Sequence, residues 1–268
     1  MNPLTVNPYN EIERNRDNIM LEVDLPAELI NQFWQDGVTK IPQIITLEEA
    51  ASYRQATMRI LEQMPVPKSV NYGRAFHQRV NVWREDEKMR KLTLHPNLTA
   101  TATKIAGTQL RLWHDHILAK MPGLPVPTAF HQDLVKWPYD RRTTALSAWI
   151  ALQDTTVEMG CMSFLPKSHS LLEVADIATS DQEGWRREQP DIEWSSRITI
   201  PLQAGDCTFH HGMTFHTAGP NQSDQWRVAH VVIFIEAQAT YNGQRHIVTD
   251  PLDLPAGVSP PNDICPPV

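Results

Sequence analysis

G-D-C-T-F-H-H-G-M-T-F-H-T-A-G-P-N-Q-S-D-Q-W-R-V-A-H-V-V-I-F-I-E, residues 205–236, is the stretch on which the reading of this chain turns. Gly205-Asp206 marks a turn, Cys207 to His210 a strand, Thr214 to Thr217 a second strand, Gly219 to Asp224 a loop, and Trp226 onward a long apolar strand. His216 therefore ends one strand and Arg227 begins the next. An arginine opening a run as apolar as V-A-H-V-V-I-F-I is costly to bury unless it meets an anion. No partner for Arg227 stands nearby in sequence, and a ligand carboxylate, onto which the guanidinium forks through two parallel hydrogen bonds, would fill the gap.

The same texture extends backward. From Gln109 onward, β-branched and aromatic runs separated by Gly, Pro, Asn and Asp predict strands over 109–119, 128–137, 143–152, 161–166, 197–202, 205–210, 213–217 and 226–236. So many short strands predict an antiparallel sandwich or barrel. Before them, Leu25, Leu29, Ile30, Phe33 and Trp34 pattern a short helix stopped at Gly37, and Val38 to Ile45, broken by Pro42, suits an edge strand. Thr46 to Glu49 is a capping box opening a helix to about Gln63, ended by Pro65 and Pro67. Residues 75–83 read as a strand and 86–106 as helical pieces split by Pro96. The expected organisation is one mainly β domain over 1–268, with a helical part at 25–106 covering one sheet face, a β core at 109–236, and a largely extended, Pro-rich tail at 250–268. The polar stretch 177–196 reads as an inserted, solvated loop rather than a substrate lid.

In T-A-F-H-Q-D-L, residues 128–134, an extended chain puts His131 and Asp133 on one face and Gln132 on the other. Alone, this spacing carries little weight. With His216 it supplies two neutral imidazoles and one carboxylate with three neighbouring sites open, the facial triad suited to a non-haem Fe(II) centre. A 2-oxo acid can chelate through two of those sites and O2 can take the third.

Composition removes other classes. A net charge of −7, with no Lys/Arg cluster, argues against nucleic acid as a partner. No apolar run approaches a membrane span, and the polar N-terminus lacks the order of a secretion signal, so a cytoplasmic protein acting on a small molecule is expected. Cys161, Cys207 and Cys265 are far apart and without a CxxC, which suits buried thiols. No glycine-rich phosphate loop is present.

The ordered set F-H-Q-D-L, A-W-I-A-L-Q-D, G-C-M-S-F-L-P-K-S-H and G-D…H-H…H, with an arginine 11 positions after the last histidine, resembles the phytanoyl-CoA dioxygenase family of Fe(II)/2-oxoglutarate oxygenases. The resemblance covers roughly 109–236, with a weaker echo in Q-F-W-Q-D-G-V-T-K-I-P. It implies a double-stranded β-helix, iron on His131, Asp133 and His216, and the far carboxylate of 2-oxoglutarate on Arg227. Trp149 falls beside the cosubstrate and His116 near a cosubstrate-contacting position. The chain departs from the family at Ala218, where a hydroxyl residue often helps hold that carboxylate, and at Lys167, where a glycine is usual in the P-G-S-H turn. The implied activity is hydroxylation of a small-molecule C–H bond with release of succinate and CO2. Desaturation or ring formation at the same centre, and a non-catalytic ligand-binding barrel, are the alternatives. A carboxylate at position 133 favours hydroxylation, desaturation or ring formation over chlorination, for which related halogenases carry a small residue there.

The remaining histidines have plainer readings. His114 and His116 share a face, but a cupin-type site needs a glutamate where Lys120 and Met121 stand, so His114 is expected to pack or to face substrate. His211 either orders a metal ligand through a hydrogen bond or packs in the core. His169 and His230 are read as structural.

Overall fold

The computed structural model describes residues 24–64 and 77–268. Helix α1 (Ala27–Asp36) buries Leu29 and Phe33, and ends where Gly37 takes a left-handed backbone (φ 80°). A Cβ at Gly37 would lie 2.3 Å from Thr214 Oγ1. The Gly37 carbonyl accepts from that hydroxyl (2.7 Å) and from the His211 amide (2.9 Å). The helix stop thus anchors the turn that leads to His216. Strand β1 (Val38–Ile41) follows, then α2 (Leu47–Glu62), whose Thr46–Glu49 capping box is formed in both halves. Pro65, Pro67 and the first two residues of the strand expected at 75–83 lie outside the described residues; β2 spans His77–Val80. Helices α3 (Glu87–Thr93) and α4 (Pro96–Ala106) flank Pro96, which sits in the first turn of α4, where its missing N–H goes unmissed.

Eight strands complete the fold: β3 (Leu110–Lys120), β4 (Thr128–His131), β5 (Ala145–Ala151), β6 (Met162–Phe164), β7 (Ile198–Ile200), β8 (Cys207–His211), β9 (His216–Ala218) and β10 (Arg227–Glu236). They form a six-stranded antiparallel sheet, ordered β1-β8-β5-β10-β3-β2, and a four-stranded one, ordered β4-β9-β6-β7. This is the double-stranded β-helix, with β1 at a sheet edge as expected. The outer face of the larger sheet, including Ile117, Ala148, Ile150, Val232 and Phe234, packs against the helices. Its inner face, including Trp149, Val231 and Ile233, looks toward the smaller sheet. On the outer side, Asp115 and His230 are fully buried together, and the Thr93 hydroxyl bridges them at 2.8 Å to each. All three cysteines are buried and unpaired. No helix among the described residues is long and apolar enough to cross a membrane.

Three expectations need correction. The strand over 128–137 stops at His131, because Leu134–Lys136 form a 3-10 turn. The loop at 177–196 is not wholly solvated. It contains α5 (Gly184–Glu188), from which Trp185 is buried against Phe130 (5.6 Å) while Trp194 is 89% exposed. The C-terminal tail folds back in turns instead of running extended, and its last residues pair with the start of β3. Buried Arg111 holds it there by donating to the carbonyls of Ala237 (3.1 Å), Pro260 (2.8 Å) and Cys265 (3.2 Å) and to Asn262 Oδ1 (3.2 Å).

Lys167 has a left-handed backbone (φ 66°, ψ −2°), the conformation for which a glycine is suited. A side chain in this region costs roughly 1–2 kcal/mol, partly offset by the unfolded-state freedom that glycine adds. Lys167→Gly should therefore raise stability by roughly 0.5–1 kcal/mol, read as an upward shift of the urea midpoint at unchanged slope.

Candidate metal centre and its cavity

His131 ends β4, His216 begins β9, and the two are register partners with ring centroids 4.3 Å apart. Asp133 joins them by a route that strand alternation did not anticipate. Its backbone is helical (φ −72°, ψ −51°), so the carboxylate swings back from the 3-10 turn beyond the strand end. Gln132 pins that turn by donating to the carbonyls of Met213 (2.6 Å) and Leu171 (3.3 Å), and the Leu134 amide donates to Gly212 O (2.8 Å).

One potential ligand atom from each of His131, Asp133 and His216 lies within 4.8 Å of the others. Asp133 Oδ1 is 3.4 Å from His131 Nε2 and 3.8 Å from His216 Nε2. In both imidazoles Nδ1 donates to the carbonyl two residues earlier, Ala129 at 2.8 Å and Thr214 at 2.9 Å. A carbonyl only accepts, so the proton sits on Nδ1 and Nε2 presents its lone pair. Burial, with His131 alongside, lowers the His216 pKa to about 3 and keeps the ring neutral. Burial pushes the Asp133 carboxyl up, but the imidazoles of His216, His131 and His210 outweigh it and hold the group well below the usual carboxylate range. Two lone pairs and a carboxylate oxygen thus converge, and a cation is what this donor set fits. Adjacent donors about 2.1 Å from a six-coordinate ion stand about 3 Å apart, so small closing movements suffice.

The outer oxygen of Asp133 is also tied down. Oδ2 accepts from Ser147 Oγ (3.1 Å) and lies 3.5 Å from His210 Nε2. Ser147 and His210 are register partners on β5 and β8. Neither was singled out from the sequence, although the signal existed: Phe209 belongs to the outer apolar layer, so His210 must alternate inward. His211, the candidate considered instead, accepts from the Met213 amide (3.1 Å) and packs near Phe33, Trp34 and His169. It is a packing residue of the turn.

The triad opens into a cavity of about 310 Å3, also lined by Arg227, Trp149 and His116. Arg227 is fully buried; its Nε has no hydrogen-bond partner and its guanidinium lies 5.5 Å from the centre of the Trp149 ring. Burial lowers its pKa to about 10, still far above neutrality, so the charge persists. Lys120, its partner across the strand pair, is buried as well and donates to the carbonyls of Ala218 (3.1 Å) and Gly219 (2.6 Å). Ala218 brings no hydroxyl here, and the Thr217 hydroxyl donates to the Thr128 carbonyl. The register partner of Ala218 is Thr128, which lines the cavity and carries a hydroxyl. Sequence reading missed it because cross-strand pairing is not a local pattern.

Comparison with known proteins agrees with this geometry. The family profile described as phytanoyl-CoA dioxygenase matches residues 33–229. The mouse phytanoyl-CoA dioxygenase domain-containing protein 1 is 28% identical over 183 residues, covering 66% of this chain and 61% of that protein. The chain spans about six tenths of the length of the first curated relatives it matches. Among solved structures, the epimerase SnoN of nogalamycin biosynthesis, in complex with Fe3+, alpha-ketoglutarate and nogalamycin RO, superposes with a TM-score of 0.79 at 33% identity, covering 90% of this chain and 97% of SnoN. The alpha-ketoglutarate-dependent carbocyclase SnoK of the same biosynthesis gives 0.80 at 31% identity, covering 91% and 97%. On the matched residues and the architecture together, the chain belongs to the phytanoyl-CoA dioxygenase family.

Proposed function

We propose that this protein is a non-haem Fe(II)/2-oxoglutarate-dependent dioxygenase that oxidises a C–H bond of a small molecule, in its simplest outcome a hydroxylation. The observation that carries the reading is Arg227, a charged guanidinium buried in the same cavity as the open triad and paired with no carboxylate among the described residues. Zinc hydrolysis or a plain ligand-binding barrel gives no reason for that charge. A cosubstrate with a second carboxylate does.

His131, Asp133 and His216 would hold the iron, and Arg227, Trp149 and His116 the cosubstrate, with Thr128 supplying the hydroxyl that Ala218 lacks. When bound, Fe(II) with 2-oxoglutarate and O2 supplies an oxidant able to break an unactivated C–H bond, 2-oxoglutarate leaving as succinate and CO2. The protein's part is placement. The Ala129 and Thr214 carbonyls keep both imidazoles in the tautomer that would bind a metal, and Ser147 holds Oδ2 of Asp133 while Oδ1 lies toward His131 and His216. Because Asp133 would occupy a coordination position, hydroxylation, desaturation or ring formation would fit the site and chlorination would not. The SnoN and SnoK likenesses support a natural-product substrate.

His131→Ala and His216→Ala should each abolish stoichiometric Fe(II) binding while far-UV circular dichroism stays that of the parent, because both residues sit at strand ends. Succinate formation persisting in either variant would remove the metal assignment. Removing one partner of a buried charge pair costs about 3–5 kcal/mol, so Arg227→Ala should weaken 2-oxoglutarate binding by roughly two to four orders of magnitude at unchanged iron content. Arg227→Lys, keeping charge but losing the planar fork, should fall between. Anaerobic titration followed by the metal-to-ligand charge-transfer band measures this. Pyruvate, which lacks the far carboxylate, should bind the parent poorly, and equal binding of 2-oxoglutarate by parent and Arg227→Ala would place the clamp elsewhere.

A further inference from the structure

The inner face of the large sheet is divided along its length. In register across β3, β10 and β5, Lys120 pairs with Arg227, then Leu118 with Ala229 and Ala151, then His116 with Val231 and Trp149, then His114 with Ile233 and Ser147. The Arg227 guanidinium lies at one end, beside the Lys120 amine whose pKa burial and Arg227 lower to about 6, and the histidines lie at the other. Arg227 and the triad account for the cationic end and the centre, but nothing in that chemistry uses His114.

His114 is buried and lines the cavity. Its Nδ1 donates to the Asp115 carbonyl (3.4 Å), which leaves the lone pair on Nε2, and that atom is buried without a partner. A buried acceptor left unpaired costs about 1–3 kcal/mol, so a donor belongs there when the site is filled. A second imidazole stands beside it. His246 lines the same cavity with its ring centroid 6.0 Å from that of His114, and both rings pack on Trp113 (4.5 and 4.7 Å). Its Nδ1 accepts from the Val248 amide (3.2 Å), so its Nε2 carries the proton. Burial lowers both pKa values, that of His246 to about 4, so both rings are neutral and these roles are fixed at neutral pH. The pair offers one acceptor and one donor.

The rest of this end is apolar, with Trp137 and the 72% exposed Ile247. Among the described residues its one cation, Lys136, is paired with Asp176 and the Ile177 carbonyl. Among the described residues, no spare positive charge faces the cavity here to receive a phosphate. His246 and Ile247 also lie beyond the residues matched to the family, on the segment between β10 and the tail, whose two ends Arg111 holds through Ala237 and Pro260.

We propose that His114 and His246 are specificity-determining residues that bind a hydroxyl group of an otherwise apolar, uncharged substrate, the hydroxyl donating to His114 Nε2 and accepting from His246 Nε2–H. This rests on the oxygenase reading above and names its substrate class: a hydroxylated carbon skeleton, not a nucleotide thioester.

The test uses the Fe(II)- and 2-oxoglutarate-loaded protein, kept anaerobic, with 2-naphthol, 2-methoxynaphthalene and octanoyl-CoA as probes in equilibrium dialysis. The methoxy compound keeps the shape but cannot donate. The parent should bind 2-naphthol about ten-fold more tightly than 2-methoxynaphthalene, the size of one well-placed hydrogen bond, and octanoyl-CoA more weakly than either. His114→Phe and His246→Phe should each remove that preference, and His114→Gln, which keeps an acceptor, should restore part of it. Circular dichroism and the charge-transfer band report whether each variant is folded and still takes 2-oxoglutarate; if a phenylalanine variant is not, the parent's probe preference and His114→Gln decide. Equal binding of the two naphthalenes by the parent, or tighter binding of octanoyl-CoA, overturns the proposal while the charge-transfer band still supports the oxygenase. A missing band in the parent defeats the oxygenase reading instead, and the naphthalene preference remains readable by dialysis.

Discussion

Two backbone carbonyls decide what the centre can be. His131 and His216 lie on different strands, yet each donates its Nδ1 proton to the carbonyl two residues earlier in its own chain, at 2.8 and 2.9 Å. That device fixes the tautomer, aims both Nε2 lone pairs at one point and needs no other side chain. The elements around it serve to keep the two strands paired and to bring Asp133 into reach. The Gly37 carbonyl holds the Thr214 end, Gln132 holds the Asp133 turn, and Ser147 holds the carboxylate itself.

Much of this arrangement was legible in the residues. The eight strands of the core stand close to where β-branched and aromatic runs bounded by turn residues put them, those of the large sheet being held between a helical layer and the cavity side. Arg227 opens its strand as read, whereas His216 begins β9 instead of ending a strand, and both line one cavity with His131, Asp133, Trp149 and His116.

What escaped the sequence depends on contacts between distant residues. Asp133 reaches the centre through a turn whose geometry is set by Gly212 and Met213, about 80 residues away in the chain. The tail looks structureless by composition, and its path follows from the buried guanidinium of Arg111 together with backbone pairing to the start of β3, which no local pattern announces. His210 was overshadowed by its neighbour His211, and only the inward or outward sense of Phe209 separates them.

The two sheets differ in size, and this bears on how the centre responds to being filled. Two of the three candidate ligands belong to β4 and β9, strands of four and three residues with an irregular pairing between them, whereas β10 runs for ten residues and pairs on both sides. Backbone amides in the short sheet therefore open more readily than those of β10. An ion bridging His131, Asp133 and His216 cross-links the weakest part of the barrel, so its binding free energy and the local stability of that sheet are linked quantities. Amide exchange should then slow on metal loading in β4 and β9 first, leaving β10 almost unaffected.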